Sequence, residues 1–286
     1  MLAPSNSLAE LGYTVNAHYH LVKLDGSPYV YNVDPSDRAF NQAHYEAIGD
    51  VLTEWIVEQL QSVHGLERVS VPVDAVTGEE TSFVLMSPGA LVSEKPLMLL
   101  IPGFAIQVGQ WARKIVINES VYKGSMLEYV ERAHKSGYNV LIFNSNENRG
   151  KESGKAIRGS VSAEEHVKYV WNELASKAKT DRVVVVAHSY GGLCIMKLLA
   201  ALEKQGSSAS AKIKRVALTD SVHSIGGLEE TGKGGKITVN FVASNKELGT
   251  ELGPDGFGVS RVSAGTGQHE QTTVTAIDLV FKHLSH

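Results

Sequence analysis

The stretch Arg182-Val-Val-Val-Val-Ala-His-Ser-Tyr-Gly-Gly192 decides how this chain is read. Four consecutive valines describe a strand buried on both faces, where branched side chains pack on either side of the pleat. Ala187-His-Ser-Tyr-Gly-Gly192 then breaks the run with small residues around a serine. Leu193-Cys-Ile-Met-Lys-Leu-Leu-Ala-Ala-Leu-Glu203 follows and favours helix. Buried strand, sharp turn and helix in this order make a nucleophile elbow, with Ala187 in the place of the usual first glycine. The turn strains the serine backbone, and its neighbours must be small for strand and helix to approach. The helix behind it points free N–H groups at the serine. The plainer alternative is an ordinary βα turn of an open sheet.

The rest of the chain supplies strands and helices in alternation. Pro96-Leu-Met-Leu-Leu-Ile101 and Tyr138-Asn-Val-Leu-Ile-Phe143 are apolar runs suited to central strands. Ile213–Thr219, Ile237–Val242 and Gly258–Val262 read as further strands, and Arg68–Val73 pairs with Thr81–Met86 across Thr77-Gly78. Pro72 marks that pair as an edge. Apolar residues at helical spacing predict a long helix over Asn41–Val63. Ser162-Ala-Glu-Glu165 is a capping box, and a terminal helix is expected from Glu270 to Leu284. Alternation between Tyr13 and Val33 around Asp25-Gly26 predicts a hairpin. The expected fold is α/β: an α/β-hydrolase-like, mostly parallel central sheet with helices on both faces, plus an N-terminal hairpin and long helix. One domain spans 1–286, with 1–66 packed on it as an extension. Gly206–Ala211 and Gly226–Gly235 read as loose connectors, and basic Asn148–Val161 as a mobile surface loop.

Composition narrows the function. The 286 residues carry 27 Lys and Arg against 31 Asp and Glu, a net charge of −4 that argues against direct nucleic-acid binding. Cys194 stands alone, so no internal disulfide forms, and its place in the helix after the elbow suits a core residue. No stretch approaches a membrane span, and no basic-then-apolar signal opens the chain, so an intracellular protein is expected.

In open α/β sheets ligands bind beyond the carboxyl ends of the strands, and elbow hydrolases order their triad as Ser, acid, His. Ser189 is the candidate nucleophile. Asp220, directly after the strand Ile213–Thr219, is the preferred acid, and Glu247 beyond the next strand is the alternative. His269, in the glycine-hinged Ala264-Gly-Thr-Gly-Gln-His-Glu270, is the candidate base. His223 is a weaker rival, His188 is expected to be packed away, and His283 and His286 to lie on the surface. The N–H groups of Tyr190 and Phe104 are the candidate oxyanion donors, Gly103 permitting the turn at the second. Gln110, Trp111, Arg113, Asn144, Asn146 and Asn148 are candidates for the pocket mouth, Trp111 equally suiting the core and the asparagines equally suiting turn caps. Such a site needs neither metal nor organic cofactor. Gly232-Lys-Gly-Gly-Lys236 lacks the strand–loop–helix setting of a phosphate loop.

These motifs resemble a known family. Leu11-Gly-Tyr13, Phe40-Asn-Gln42, Tyr45-Glu-Ala-Ile-Gly49, Val71-Pro-Val-Asp74 and Gly109-Gln-Trp-Ala-Arg113 with Ile117-Asn118 match it in order. So do Glu164-Glu-His166, Tyr169-Val-Trp171, Ala187–Leu193, Ala217-Leu-Thr-Asp-Ser-Val-His223, Arg261-Val-Ser-Ala-Gly265 and His269-Glu270. The chain resembles the argonaute-binding-protein-two domain, most closely the co-transcriptional regulator group called family with sequence similarity 172. The resemblance implies an α/β-hydrolase fold, a serine nucleophile at Ser189, and nuclear or cytoplasmic partners among Argonaute, chromatin and splicing factors. A related domain forms the C-terminal part of a yeast class II histone deacetylase. Two departures stand out. Pro102-Gly-Phe-Ala105 replaces the family's His-Gly pair after the central strand, and Asn148–Val161 replaces a long charged insert of the vertebrate members. Two functions follow as expectations: a serine hydrolase acting on an ester or thioester, or a binding module that keeps the fold without the chemistry.

Overall fold

A computed structural model describes residues 7–223 and 235–285. The valine run forms β7 (Val183–His188), at the middle of a nine-stranded sheet. It lies parallel between β5 (Leu97–Ile101) and β8 (Ile213–Thr219). Beyond β5 come parallel β6 (Asn139–Ile142), then antiparallel β4 (Ser82–Met86) and β3 (Glu67–Val71) at the edge. Beyond β8 come parallel β9 (Thr238–Val242) and β11 (Ser260–Ser263), closed by antiparallel β10 (Glu251–Pro254). The fold is therefore an α/β-hydrolase-like, mostly parallel sheet with antiparallel edges.

Every residue of β5, β6 and β7 is buried, so their side chains alternate between two cores rather than between core and water. Met98, Leu100, Val184 and Val186 face one core, with Ile48, Leu52 and Ile56 of the long helix α1 (Arg38–Ser62). Leu97, Leu99, Val183 and Val185 face the other, with Val167 and Trp171 of α5 (Ala163–Glu173) and Ile195 and Leu199 of α6 (Tyr190–Lys204). Asp37 caps α1 by accepting the Phe40 N–H at 2.8 Å, and Ser162 caps α5 by accepting the Glu165 N–H at 3.2 Å. Between β5 and β6 lie α2 (Arg113–Asn118), α3 (Val121–Gly124) and α4 (Leu127–Lys135), in a stretch to which the sequence pattern assigns no element.

Four expectations change. The N-terminal hairpin pairs β1 (Tyr13–Val15) with β2 (Leu21–Lys23), so it turns at Asn16–His20, where Asn16 Oδ1 accepts from the His18 and His20 N–H groups. Asp25-Gly26 makes a separate tight turn after β2. The terminal helix is broken into a 3-10 turn at His269–Gln271, α7 (Thr272–Thr275) and α8 (Ile277–Ser285). Asn148–Val161 is pinned: Asn148 donates to the Ser145 carbonyl, and Arg158 pairs with Glu79 and Asp74. His283 bonds the Val216 carbonyl at 3.1 Å rather than lying on the surface. Gly226–Gly234, most of the glycine–lysine stretch Gly232–Lys236, and His286 lie outside the described residues.

The elbow is a packing requirement. A Cβ on Gly191 would sit 2.4 Å from the Pro102 carbonyl oxygen and 2.8 Å from that of Ile101, both backbone atoms. One on Gly192 would meet Ser221 Oγ at 2.2 Å. Gly191→Ala is therefore expected to lower unfolding free energy by about 1–3 kcal/mol, the usual cost of overpacking, as read by urea denaturation.

Candidate active site

Ser189 stands between β7 and α6 with φ 52° and ψ −119°, in the left-handed half of backbone space that a residue with a Cβ rarely occupies. The strain is held by its surroundings. Its N–H donates to the Thr219 carbonyl at 3.0 Å, and its carbonyl accepts the Val222 N–H at 3.3 Å. Gly103 approaches so closely that a Cβ there would lie 3.2 Å from Ser189 Cβ. Among the described residues, Ser189 Oγ makes no hydrogen bond, neither to His269 nor to any other group.

The segment after β8 brings Asp220 to His269. Asp220 also has a positive φ, 47°, and its N–H donates to the Phe241 carbonyl at 2.8 Å. One carboxylate oxygen accepts the Ala243 N–H at 2.9 Å, and the other lies 2.6 Å from His269 Nδ1. Burial pushes the Asp220 carboxyl upward, but the bonds from His269 and the Ala243 N–H outweigh it and leave its pKa below the ordinary value. The Asp220 bond raises the His269 pKa against the opposing effect of burial. With the Nδ1 proton facing Asp220, Nε2 is the free, basic nitrogen. The loop that presents His269 is braced by Lys114–Glu270 at 2.6 Å and by Gln271 on both Glu119 oxygens at 2.8 Å.

His188, the residue before Ser189, is packed as expected but not away from the site. Its ring centroid lies 4.7 Å from that of His269, tilted by 35°. Its Nδ1 is 2.8 Å from the Thr219 carbonyl, the same oxygen that takes the Ser189 N–H. Burial, and then repulsion from His269, push its pKa down to about 4, so it stays neutral beneath the candidate base.

The candidate oxyanion donors are the N–H of Tyr190, the residue after Ser189, and that of Phe104, the residue after Gly103. The Phe104 and Tyr190 N–H groups have no backbone acceptor among the described residues. Asn146 shapes the Phe104 loop. Its Nδ2 donates to the Gly103 and Ile106 carbonyls, both at 2.8 Å, and its Oδ1 accepts the Ala105 N–H at 3.2 Å. Ala105 takes φ 58° under that clamp, which gives the Pro102-Gly-Phe-Ala turn a definite shape without the family's histidine. The Phe104 ring is 72% exposed and meets the Tyr190 ring edge-on. Tyr190 donates its hydroxyl to Glu164 at 2.6 Å.

Several expected mouth residues sit elsewhere. Gln110 and Trp111 are buried in the core, Gln110 donating to Thr53 at 2.7 Å and Trp111 packing edge-on against Tyr129. The apolar ring of Trp111 joins the core that α1 packs into, and Gln110 is held there by its bond to Thr53. Arg113 pairs with Asp50 of α1 at 3.3 Å. Asn144 donates to Ser82 and Glu147, bridging β4 to the exit of β6. Glu247 is exposed and no side-chain bond joins it to His269, whereas Asp220 makes that bond. Asn240 escaped the sequence reading. A buried amide inside the apolar β9 was the available signal, and its Oδ1 accepts the Ser221 N–H at 3.1 Å. A cleft of about 1500 Å³ between α1, the β3–β4 edge and Arg149 meets the outer side of the Ala105–Ile106 loop, but Ser189, Asp220 and His269 do not line it. Among the described residues no His, Cys, Asp and Glu group could hold a metal ion, and no helix is long and apolar enough to cross a membrane.

The Arb2 domain model matches residues 4–235, a span that includes Ser189 and Asp220 and ends before His269. The mouse protein named Cotranscriptional regulator ARB2A is 32% identical, over 90% of this chain and 74% of its own length. The human protein of that name is 33% identical over the same shares. Among solved structures, the histone deacetylase Clr3 superposes with a TM-score of 0.54 at 13% identity, over 89% of this chain. This chain spans only 40% of Clr3, so the likeness is one of fold.

The electrostatics yield a direct expectation. His269 should titrate above the ordinary imidazole value of about 6.5, and Asp220→Asn should bring the midpoint down, both read by NMR of the imidazole nitrogens. The raised His269 stabilises the fold fully below its unfolded pKa, and that contribution fades as pH rises through the folded one. The lowered Asp220 stabilises above its unfolded pKa of about 3.9 and fades as pH falls. The pair thus stabilises most between about pH 4 and 6.5.

Proposed function

The chain belongs to the Arb2-domain family, and on that premise we propose that it is a serine hydrolase acting on an ester or thioester. Ser189 Oγ attacks the acyl carbon while its proton passes to His269 Nε2. The carbonyl electron pair moves onto oxygen, which takes hydrogen bonds from the Phe104 and Tyr190 N–H groups. Collapse expels the alcohol or thiol, which leaves with the proton from His269. Water then repeats the sequence on the acyl-serine and releases the acid. Asp220 holds the His269 tautomer and stabilises the imidazolium that forms.

One observation carries this reading: the His269–Asp220 contact of 2.6 Å, with the His269 ring resting on the residue that precedes a serine at φ 52°. The base works only when neutral, so reaction should accelerate as pH rises through the raised His269 pKa. A fluorophosphonate probe should label the protein, Ser189→Ala should abolish labelling, and His269→Gln should slow it by roughly 10²–10⁴-fold. Labelling that survives Ser189→Ala, or none from pH 6 to 9, contradicts the proposal.

The unbonded Ser189 Oγ favours a second reading, a binding module without turnover. The relatives' name, Cotranscriptional regulator, supports transcription-related partners and a nuclear setting for either reading. Under the second, Ser189→Ala leaves recovery of Argonaute, chromatin or splicing factors unchanged in a pull-down while no ester is hydrolysed.

A further inference from the structure

The segment Asp220-Ser-Val-His223 leaves β8 with every residue tied to a different part of the site. Asp220 faces His269, Ser221 N–H bonds Asn240 of β9, and Val222 N–H bonds the Ser189 carbonyl. His223 is fully buried. Its Nδ1 lies 2.9 Å from Ser221 Oγ and its Nε2 lies 2.8 Å from Asp255 Oδ2. Asp255 follows β10, and its other oxygen accepts the Phe257 and Val259 N–H groups at 2.9 and 3.1 Å. Those two bonds shape the turn that opens β11, and β11 runs into the loop that carries His269. A second Ser–His–Asp chain therefore joins the strand exit that delivers the acid to the strand that leads to the base.

This second chain is no second nucleophile. Ser221 Oγ is pressed on the first turn of α6, 2.2 Å from the position of a Gly192 Cβ. The bond order also fits a brace. In the neutral ring the Nε2 proton faces Asp255, and Nδ1 accepts from the Ser221 hydroxyl two residues away. With side-chain exposures of 1% and 9%, His223 and Asp255 form a buried polar pair, which rarely outdoes apolar packing as a source of stability. A fully bonded buried network does fix one arrangement of the chain. Asp220, strained at φ 47°, needs such fixing from its surroundings.

We infer that Ser221, His223 and Asp255 are positioning residues that hold the Asp220–His269 pair in register with Ser189. The kinetic side of this inference rests on the hydrolase reading; the geometric side does not. The test uses the full chain and two readouts: the rate of fluorophosphonate inactivation and the His269 titration followed by NMR. His223→Phe keeps a ring against Phe257 and removes both hydrogen bonds. It should slow inactivation by roughly ten- to a hundred-fold, the range for a misplacement transmitted from outside the chemistry, and move the His269 midpoint towards the ordinary imidazole value. Asp255→Ala should do the same. Asp255→Asn should recover much of the loss, because the ring can shift its proton to Nδ1, donate to Ser221 and accept from the new amide. A folded His223→Phe protein with unchanged rate and unchanged His269 midpoint overturns the inference. Should His223→Phe fail to fold, equal behaviour of Asp255→Ala and Asp255→Asn overturns it and a deficit in the alanine variant alone supports it. If wild type is never labelled, the hydrolase reading falls and the His269 midpoints alone decide the brace.

Discussion

At Gly191 the first turn of α6 passes so close to the end of β5 that a Cβ would lie 2.4 Å from the Pro102 carbonyl oxygen. This close approach sets the rest of the site. It lets β7 turn into α6 through one residue, and that residue, Ser189, must take a positive φ to make the turn. The same contact draws the Pro102–Ala105 loop against the serine, with Gly103 at the nearest point. Phe104 follows Gly103 in that loop and Tyr190 follows Ser189 in the turn, so the two candidate oxyanion donors belong to the segments that this contact brings together. Backbone strain of this kind persists only where packing over-determines it, and the all-buried β5 and β7 supply that packing.

The histidines around the serine divide the work by their surroundings. His269 is half exposed, held by a carboxylate, and left with a basic Nε2. His188 is buried against a backbone carbonyl and kept neutral, with its ring 4.7 Å from that of His269, the candidate base. His223 is buried between a hydroxyl and a carboxylate, and its bonds join separate parts of the chain. One residue type serves three ends because burial and partner, rather than identity, set what an imidazole does.

Much of this was legible from residues alone. The valine run, the apolar stretches at Leu97–Ile101 and Asn139–Ile142, and the small residues around Ser189 write the central sheet and its turn directly, because burial on both faces leaves little else for those residues to be. The edge at β3 was signalled by Pro72, and the start of α5 by Ser162. The pairing of His269 with Asp220 follows from chain order, since both leave the carboxyl ends of strands in one sheet. What sequence concealed depends on partners far along the chain. Gln110 and Trp111 look like loop residues until the core that swallows them is placed. Asn146 reads as a turn asparagine, yet it clamps a loop some forty residues earlier. The N-terminal hairpin misled because Asp25-Gly26 carries the stronger turn signal, while side-chain bonds from Asn16 made the turn that closes the strands.

The central claim is that Ser189, two backbone amides and His269 converge on one reacting carbon. A crystal structure of the protein after reaction with a phosphonate ester would test it most directly. The account predicts phosphorus bonded to Ser189 Oγ, its free oxygen within hydrogen-bond reach of the Phe104 and Tyr190 N–H groups, and His269 Nε2 turned towards the leaving-group side. An unmodified Ser189, or an adduct whose oxygen points away from both amides, would contradict it.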